Sequence, residues 1–329
     1  MSKRYAGITG TGHYVPEYVL TNQELETIVD TNDEWIRTRT GIRERRILKD
    51  KDKATSFMAT RAAEEVLERT GTDPKEIDVI IVATVTPDYM FPATACLVQK
   101  NIGATRAYAF DMLAACSGFL FALTTGSNMI ESGRAQKVLV IGADKMSSIV
   151  DYTDRNTCIL FGDGAGAVLL EAFEEETGVI DYVHYTDGDD QCLLYQPAGG
   201  SKRPASHETV DLHLHSLRQD GRPVFKKATE GMADVSAEIM QRNNLTGEDV
   251  DWLVPHQANL RIISATANRM GLDPSKVMIN IDKYGNTTAA TIPLCLYEWS
   301  DRLSKGDKLV LTAFGGGLTW GATYVKWSV

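Results

Sequence analysis

A cysteine, a histidine and an asparagine are the side chains of this sequence best placed for chemistry. Cys116 follows Met112-Leu113-Ala114-Ala115 and precedes Ser117-Gly118, and the run from Phe119 to Ser132 reads as a helix. A thiol at such a strand-to-helix junction sits over unpaired backbone N–H groups and the positive end of the helix dipole, which favours thiolate and makes a nucleophile. The competing role for a free cysteine is a small buried hydrophobe. His256 ends the apolar pattern Trp252-Leu253-Val254-Pro255-His256, and Asn286 follows Lys283-Tyr284-Gly285. Taken singly, these are a hydrogen-bonded structural histidine and a turn or helix cap. A third feature adds to them: Gly315-Gly316-Gly317 after an apolar strand lets backbone N–H groups approach a ligand closely, as an oxyanion hole requires. The chemistry these types point to is nucleophilic catalysis.

An internal repeat supplies the elements that would position them. Glu76-Ile77-Asp78-Val79-Ile80-Ile81-Val82 resembles Asp249-Val250-Asp251-Trp252-Leu253-Val254, 173 positions on, and Lys137-Val138-Leu139-Val140 resembles Lys308-Leu309-Val310-Leu311, 171 on. A helical run from Ser56 to Arg69, apolar at Ala59, Ala62, Ala63, Val66 and Leu67, precedes the first strand. Ala228, Met232, Val235 and Ile239 make its counterpart before the second. Alternation of this kind predicts α/β layers with mostly parallel strand pairing, in two halves, 1–174 and 175–329. Moving 170 positions from Cys116 reaches Asn286, so each half is expected to set a polar residue where a strand feeds a helix. With His256 at a strand end, the three side chains are expected to meet where α/β units bind ligands.

Two stretches interrupt the pattern. Thr21-Asn22-Gln23-Glu24 and Thr31-Asn32-Asp33-Glu34 fit capping boxes, which predicts short helices inserted over residues 21–50. The polar stretch from Asp187 to Arg222 predicts a loop or hairpin excursion, and its His207, His213 and His215 read as surface histidines because no carboxylate or cysteine arrangement completes a metal site. The run Gly162-Asp163-Gly164-Ala165-Gly166 lacks the spacing of a dinucleotide fingerprint.

The net charge of −10 argues against nonspecific nucleic-acid binding. Local basic clusters remain, at Arg37 to Arg46 and at Lys226, Lys227 and Arg261, and an acidic partner or anionic ligand is one reading of them. Five cysteines without a C-x-x-C pair fit reduced thiols, and the lack of an apolar leader or a long apolar run predicts a cytoplasmic protein with no membrane segment.

The motifs together resemble the β-ketoacyl-acyl-carrier-protein synthase III family of the thiolase-like superfamily, nearly end to end. The likeness rests on Thr31-Asn32-Asp33-Glu34-Trp35-Ile36 with Arg39-Thr40-Gly41-Ile42, on Ala114-Ala115-Cys116-Ser117-Gly118-Phe119, on Phe161-Gly162-Asp163-Gly164-Ala165-Gly166, on His256-Gln257-Ala258-Asn259, on Gly285-Asn286-Thr287 and on Phe314-Gly315-Gly316-Gly317. It implies a thiolase-like α/β fold of two similar halves in αβαβα layers. The implied reaction is decarboxylative condensation of an acyl-CoA primer with malonyl-acyl carrier protein, which initiates fatty-acid synthesis through an acyl-Cys116 thioester.

The resemblance also implies roles for individual residues. His256 and Asn286 would hold the enolate oxygen, and the backbone N–H groups of Cys116 and Gly316 would form the oxyanion hole. Coenzyme A would lie against Trp35, Arg39, Arg155, Phe225 and Asn259, with the adenine between Trp35 and Arg155. Carrier protein would dock at Arg222, Lys226, Lys227 and Arg261. Phe91, reaching across a homodimer, and Met112 would bound the acyl pocket. Neither metal nor a permanently bound cofactor is implied, coenzyme A arriving as the substrate thioester. A polyketide or quinolone-type condensing enzyme shares the same three residues, and a non-catalytic acyl-CoA-binding protein is a further alternative.

Overall fold

The computed structural model describes residues 3–329. Two mixed sheets carry the fold. The first contains β1 (Tyr5–Tyr14), β4 (Val79–Ala83), β5 (Tyr108–Met112), β6 (Lys137–Lys145) and β7 (Asp163–Phe173), in the order β1-β7-β6-β4-β5. The second contains β8 (Gly178–Thr186), β11 (Trp252–Pro255), β12 (Lys308–Gly315) and β13 (Thr319–Lys326), in the order β8-β13-β12-β11. The orders correspond strand for strand, with the place of β5 taken in the second sheet by one parallel bridge between Leu253 and Val277.

Pairing is more antiparallel than the alternation of elements predicts. Only β4 with β5, β4 with β6, and β11 with β12 run parallel, while β1, β7, β8 and β13 pair antiparallel. The reason is clearest at Gly316-Gly317-Leu318, too short a connection between β12 and β13 for a parallel crossover.

Helices α5 (Gly118–Glu131) and α10 (Thr291–Trp299) lie between the sheets, where Phe119, Leu120, Leu123, Ile292 and Leu296 share one core with strands of both. Two helices, α3 (Thr55–Thr70) and α4 (Thr94–Ile102), cover the outer face of the first sheet, and α7 (Gly221–Arg242) and α8 (Leu260–Met270) that of the second. The result is five layers, αβαβα. The apolar stripe of α3, from Ala59 to Leu67, is buried as its periodicity requires, and Gly71 ends the helix at φ 67°.

Both excursions are present, as short helices and as a hairpin. Residues 21–50 hold α1 (Asn22–Leu25) and α2 (Asp33–Thr40), and a two-strand pairing of β2 (Val19–Thr21) with β3 (Glu44–Arg46). Thr21 caps α1 as predicted, but α2 is capped by Asn32, whose side chain accepts from the Trp35 N–H at 2.8 Å, one residue beyond Thr31. The fully buried Arg45 donates to the Leu20 and Ile159 carbonyls and to Asn22 Oδ1, fastening this excursion to the body. The polar stretch holds the hairpin partners β9 (Leu194–Tyr195) and β10 (Arg218–Gln219), with α6 (His207–Asp211) between them. One further short helix, α9 (Ile281–Tyr284), leads to Gly285.

The repeat is offset by three residues from the 170 that pairs Cys116 with Asn286. Short 3-10 turns at Ala115–Ser117 and Thr288–Ala290 precede α5 and α10, and their starts are 173 apart. The structural counterpart of Cys116 is therefore Ala289, and Asn286 corresponds to Leu113. Both turns begin with a left-handed non-glycine residue, Ala115 at φ 48° and Thr288 at φ 51°. Each costs on the order of 1–2 kcal/mol, which the surrounding packing offsets.

Close packing brings the second of these turns onto the first sheet: a Cβ at Gly142, in β6, would lie 2.2 Å from the Ala289 carbonyl oxygen. Gly142→Ala is therefore expected to destabilise by about 3 kcal/mol or more. Gly71→Ala, where nothing lies within 4 Å of the added carbon, should cost only about 1 kcal/mol for its left-handed backbone. Urea midpoints of the two variants will compare them, and equal shifts would contradict the packing described.

Candidate active site

Cys116, His256 and Asn286 line one cavity of about 500 Å³. Each reaches it from a different element: Cys116 from the turn before α5, His256 from the end of β11, and Asn286 from the segment between Gly285 and the Thr288 turn. All three are buried. Gly316 and Gly317 line the same cavity, and a Cβ at Gly315 would lie 2.6 Å from the Cys116 backbone nitrogen. The glycine run thus sits against the backbone of Cys116, as the oxyanion-hole reading of its sequence requires.

The electrostatics differ from the expectation for the thiol. Burial, with the negative charge of Asp144 adding to it, pushes Cys116 up to about 12, so the group rests as a thiol. The N-terminal dipole of α5 opposes this, since Cys116 lies in the turn from which that helix springs. Burial holds His256 down at about 3, a neutral imidazole at physiological pH. Its Nδ1 is 2.7 Å from Thr291 Oγ1, while Nε2 is buried without a protein partner among the described residues. Asn286 Oδ1 accepts the Thr288 backbone N–H at 2.8 Å, which leaves the carboxamide NH₂ as its unengaged end. The cavity therefore brings together a thiol, a neutral imidazole and an amide donor.

Leu160, Gln219, Gly221, Phe225 and Asn259 are shared between this cavity and a wider groove of about 980 Å³. Trp35, Arg39, Arg222 and Arg261 also line the groove. Asn259 caps α8 and donates to the Arg39 carbonyl at 2.9 Å, and the Arg261 guanidinium lies 4.8 Å from the centre of the Phe225 ring. Trp35 carries Arg39 at 5.1 Å and Arg155 at 5.3 Å, and Arg155 also pairs with Asp30 at 2.9 Å. A purine between two faces needs about 7 Å, two van der Waals separations. Trp35 and Arg155 are thus stacked on each other, and the expected sandwich forms only if the half-exposed Arg155 swings away.

Of the remaining residues, Lys227 and Met112 are placed differently from their expected roles. Lys227 is held by Asp187 at 3.3 Å and by Asp190, so its charge is balanced locally. Lys226 is exposed and only 3.9 Å from Glu230. Met112, at the end of β5, packs against the central core, and its neighbour Leu113 lines the cavity instead. The alternation of a strand explains that one-residue displacement. Phe91 does not line the cavity of its own chain: it is 86% exposed, next to exposed Tyr89 and Met90.

The same fold, with related sequence, occurs in known proteins. Residues 110–188 match the family described as 3-oxoacyl-[acyl-carrier-protein (ACP)] synthase III, and residues 240–327 match its C-terminal part. A β-ketoacyl-[acyl-carrier-protein] synthase III of Chlorobaculum tepidum is 61% identical over 326 residues, covering 98% of this chain and 99% of the relative. The chain belongs to the β-ketoacyl-[acyl-carrier-protein] synthase III family. The 3-oxoacyl-[acyl-carrier-protein] synthase III of Aquifex aeolicus superposes with a TM-score of 0.90 at 46% identity, covering 98% of this chain and all of the other. The priming β-ketosynthase of the R1128 polyketide pathway superposes at 0.92 with 33% identity, over 99% and 97% of the two chains. The fold is the thiolase fold, and the protein is a condensing acyltransferase.

Behind this synthase III site stand polar residues that motif reading does not single out. Asp144, at the end of β6, is fully buried and accepts from Thr84, Val85, Thr86, Thr288 and Ala289. Gln257 donates to the Pro255 and Met278 carbonyls and accepts from the Asn280 and Ile281 N–H groups, fixing the end of β11 beside His256. The available signal for Asp144 was a carboxylate closing an otherwise apolar strand, Val138 to Ala143.

With its thiol held up at about 12, Cys116 should alkylate about tenfold faster per pH unit from about pH 7 to about pH 10, without a plateau. Mass spectrometry of the Cys116 peptide after timed iodoacetamide exposure measures this. A plateau near neutrality would mean that the α5 dipole outweighs burial.

Proposed function

We propose that the protein condenses an acyl-CoA primer with malonyl-acyl carrier protein, releasing carbon dioxide and coenzyme A and giving a 3-oxoacyl-acyl carrier protein that starts fatty-acid synthesis. The observation that carries this reading is the meeting of Cys116, neutral His256 and the Asn286 amide at one buried cavity. In the first half-reaction the Cys116 sulfur attacks the primer thioester. The tetrahedral oxyanion takes N–H donors from Cys116 and Gly316, and its collapse expels coenzyme A. The proton leaving Cys116 ends on the coenzyme A sulfur, so acylation needs no net proton uptake.

In the second half-reaction the malonyl carboxylate leaves as carbon dioxide, and its bonding electrons form an enolate. The enolate oxygen is stabilised by donors from the buried His256 and Asn286. The enolate carbon then attacks the Cys116 thioester carbonyl, and the cysteine sulfur departs as thiolate and takes one proton from solvent, the proton that the decarboxylative condensation consumes. Neutral donors suit this step because they bind the developing charge more tightly than the uncharged thioester.

The groove fits the remaining roles. Coenzyme A lies along Trp35, Arg39, Phe225 and Asn259 with Arg155 moved aside, and pantetheine passes Gln219 and Gly221 to Cys116. Acidic carrier protein is steered to Arg222, Arg261 and Lys226, with Lys227 contributing little. Tyr89, Met90, Phe91 and Leu113 form an exposed apolar group near the edge strand β5, which suits a homodimer. Five free cysteines suit a cytoplasmic setting, and no described helix is long and apolar enough to cross a membrane. The likeness to a polyketide priming synthase supports a second reading, in which the product enters secondary metabolism. The closer identity to the Chlorobaculum enzyme favours the first.

Asn286→Ala should lower carbon dioxide release from malonyl-acyl carrier protein by about 10²–10³-fold, the cost of one oxyanion donor. Acylation of Cys116 by acetyl-CoA should change by less than about threefold, because Asn286 acts only in the second half-reaction. Labelled carbon dioxide and intact-mass time courses measure the two. Undiminished decarboxylation would remove Asn286 from the mechanism.

A further inference from the structure

We propose that Gln257 is a positioning residue that sets the spacing of His256 and Asn286, by splicing its carboxamide into the strand pairing that Pro255 interrupts. The inference rests on the reading of the cavity as an enolate site, where both side chains must reach one oxygen.

At the edge of its sheet, β11 meets the segment that leads to Asn286. Leu253 forms a parallel bridge with Val277, and its carbonyl accepts the Met278 N–H at 3.0 Å. Two residues on, a parallel ladder calls for the N–H of residue 255 to donate to the Met278 carbonyl, and for the Asn280 N–H to donate to the carbonyl of residue 255. Residue 255 is a proline and has no N–H, so the first of these rungs cannot form. The Gln257 carboxamide takes their place. Its Nε2 donates to the Met278 carbonyl at 3.1 Å and to the Pro255 carbonyl at 2.7 Å, and its Oε1 accepts from the N–H groups of Asn280 at 3.1 Å and Ile281 at 3.2 Å. Both protons and both lone pairs of the amide are thereby used, and the residue is fully buried. A reversed amide would set its NH₂ against two N–H groups and its oxygen against two carbonyls, so one orientation alone fits.

The two ends of this splice carry two groups of the site. Gln257 follows His256 directly, and His256 is held towards β12 by its own N–H on the Thr312 carbonyl at 2.8 Å. Asn280 and Ile281 open the single turn α9, and the bond from the Gly285 N–H to the Ile281 carbonyl at 3.0 Å closes that turn immediately before Asn286. A shift of the segment from Met278 to Ile281 against β11 would therefore move Asn286 against His256. The buried carboxamide resists that shift with all its hydrogen bonds, whereas a hydrocarbon side chain would leave the same backbone groups without partners.

Gln257→Met, uncharged and of similar length, should slow carbon dioxide release from malonyl-acyl carrier protein about 10–100-fold, the scale on which a misplacement of about 1 Å acts. Acylation of Cys116 by acetyl-CoA should stay within about threefold of wild type, because the pair acts only in the second half-reaction. In an Asn286→Ala background, where no pair is left to align, Gln257→Met should slow carbon dioxide release by less than about threefold. Gln257→Asn, which keeps the amide but shortens its reach by one methylene, should show the same split and serves if Gln257→Met does not fold. Equal slowing of the two half-reactions, or the same cost in both backgrounds, would make Gln257 merely structural and overturn the proposal. Hydrogen exchange on the wild-type protein needs no variant: the Asn280 and Ile281 amides should exchange as slowly as those of Leu253 and Val254, and rapid exchange there would overturn the proposal even if neither variant folds. Should the wild-type protein release no carbon dioxide from malonyl-acyl carrier protein, the proposed reaction would fall, while exchange at Asn280 and Ile281 would still decide whether Gln257 ties the two segments together.

Discussion

The carboxylate of Asp144 is the constraint on which the site depends. It sits at the end of β6 with no exposure and collects hydrogen bonds from the Thr84-Val85-Thr86 segment after β4 and from Thr288 and Ala289 before α10. An isolated buried carboxylate would cost many kcal/mol, and such a dense set of donors is what makes burial tolerable. Burial still prevails in direction, raising the group above the usual carboxylate range. Because its donors come from both halves of the chain, moving either segment would strip hydrogen bonds from a group that cannot reach water. The two α/β halves are thereby locked in one relative placement at the point where the cavity needs it. The same negative charge helps keep Cys116 a thiol.

The state of the site's groups follows from their burial. Desolvation keeps His256 neutral and Cys116 protonated, so the resting cavity holds polar groups without formal charge. Buried, preorganised N–H donors act more strongly towards an oxyanion than exposed ones, because little reorganisation is needed. Val85, Ile149, Leu160, Phe161 and Leu217 are apolar parts of the wall, while Gln191, Gln196 and Gln219 bring polar groups to it.

Much of this was legible in the chain, for physical reasons that also explain the remainder. Cys116, His256 and Asn286 stood out because each is polar at the boundary of an apolar strand or a glycine turn, and they do line one cavity. The stripe of α3 was legible because helical periodicity is local. The register of the repeat was legible only in part: its strand anchors lie 173 and 171 positions apart, the step of 170 that reaches Asn286 departs from both, and the shared left-handed positions, Ala115 and Thr288, align Cys116 with Ala289. Antiparallel pairing of β7 and β13 was hidden because alternation of elements does not reveal that consecutive strands, β6 with β7 and β12 with β13, are neighbours in one sheet. Asp144, Thr288 and Thr291 were invisible because their partners are distant in sequence, with Asp144 and Thr288 separated by 144 positions. Lys227 read as free charge for the same reason, its partners Asp187 and Asp190 lying in a different segment.

The central claim is that Cys116 carries the acyl group between two half-reactions. Intact-mass measurement of the wild-type protein after acetyl-CoA, followed by malonyl-acyl carrier protein, tests it most directly. The account predicts a gain of one acetyl group mapping to Cys116, absent in Cys116→Ala, and its loss into a 3-oxoacyl product when the malonyl donor is added. An unmodified wild-type protein that still forms product, or an acetyl group mapping equally to another residue in Cys116→Ala, would contradict it.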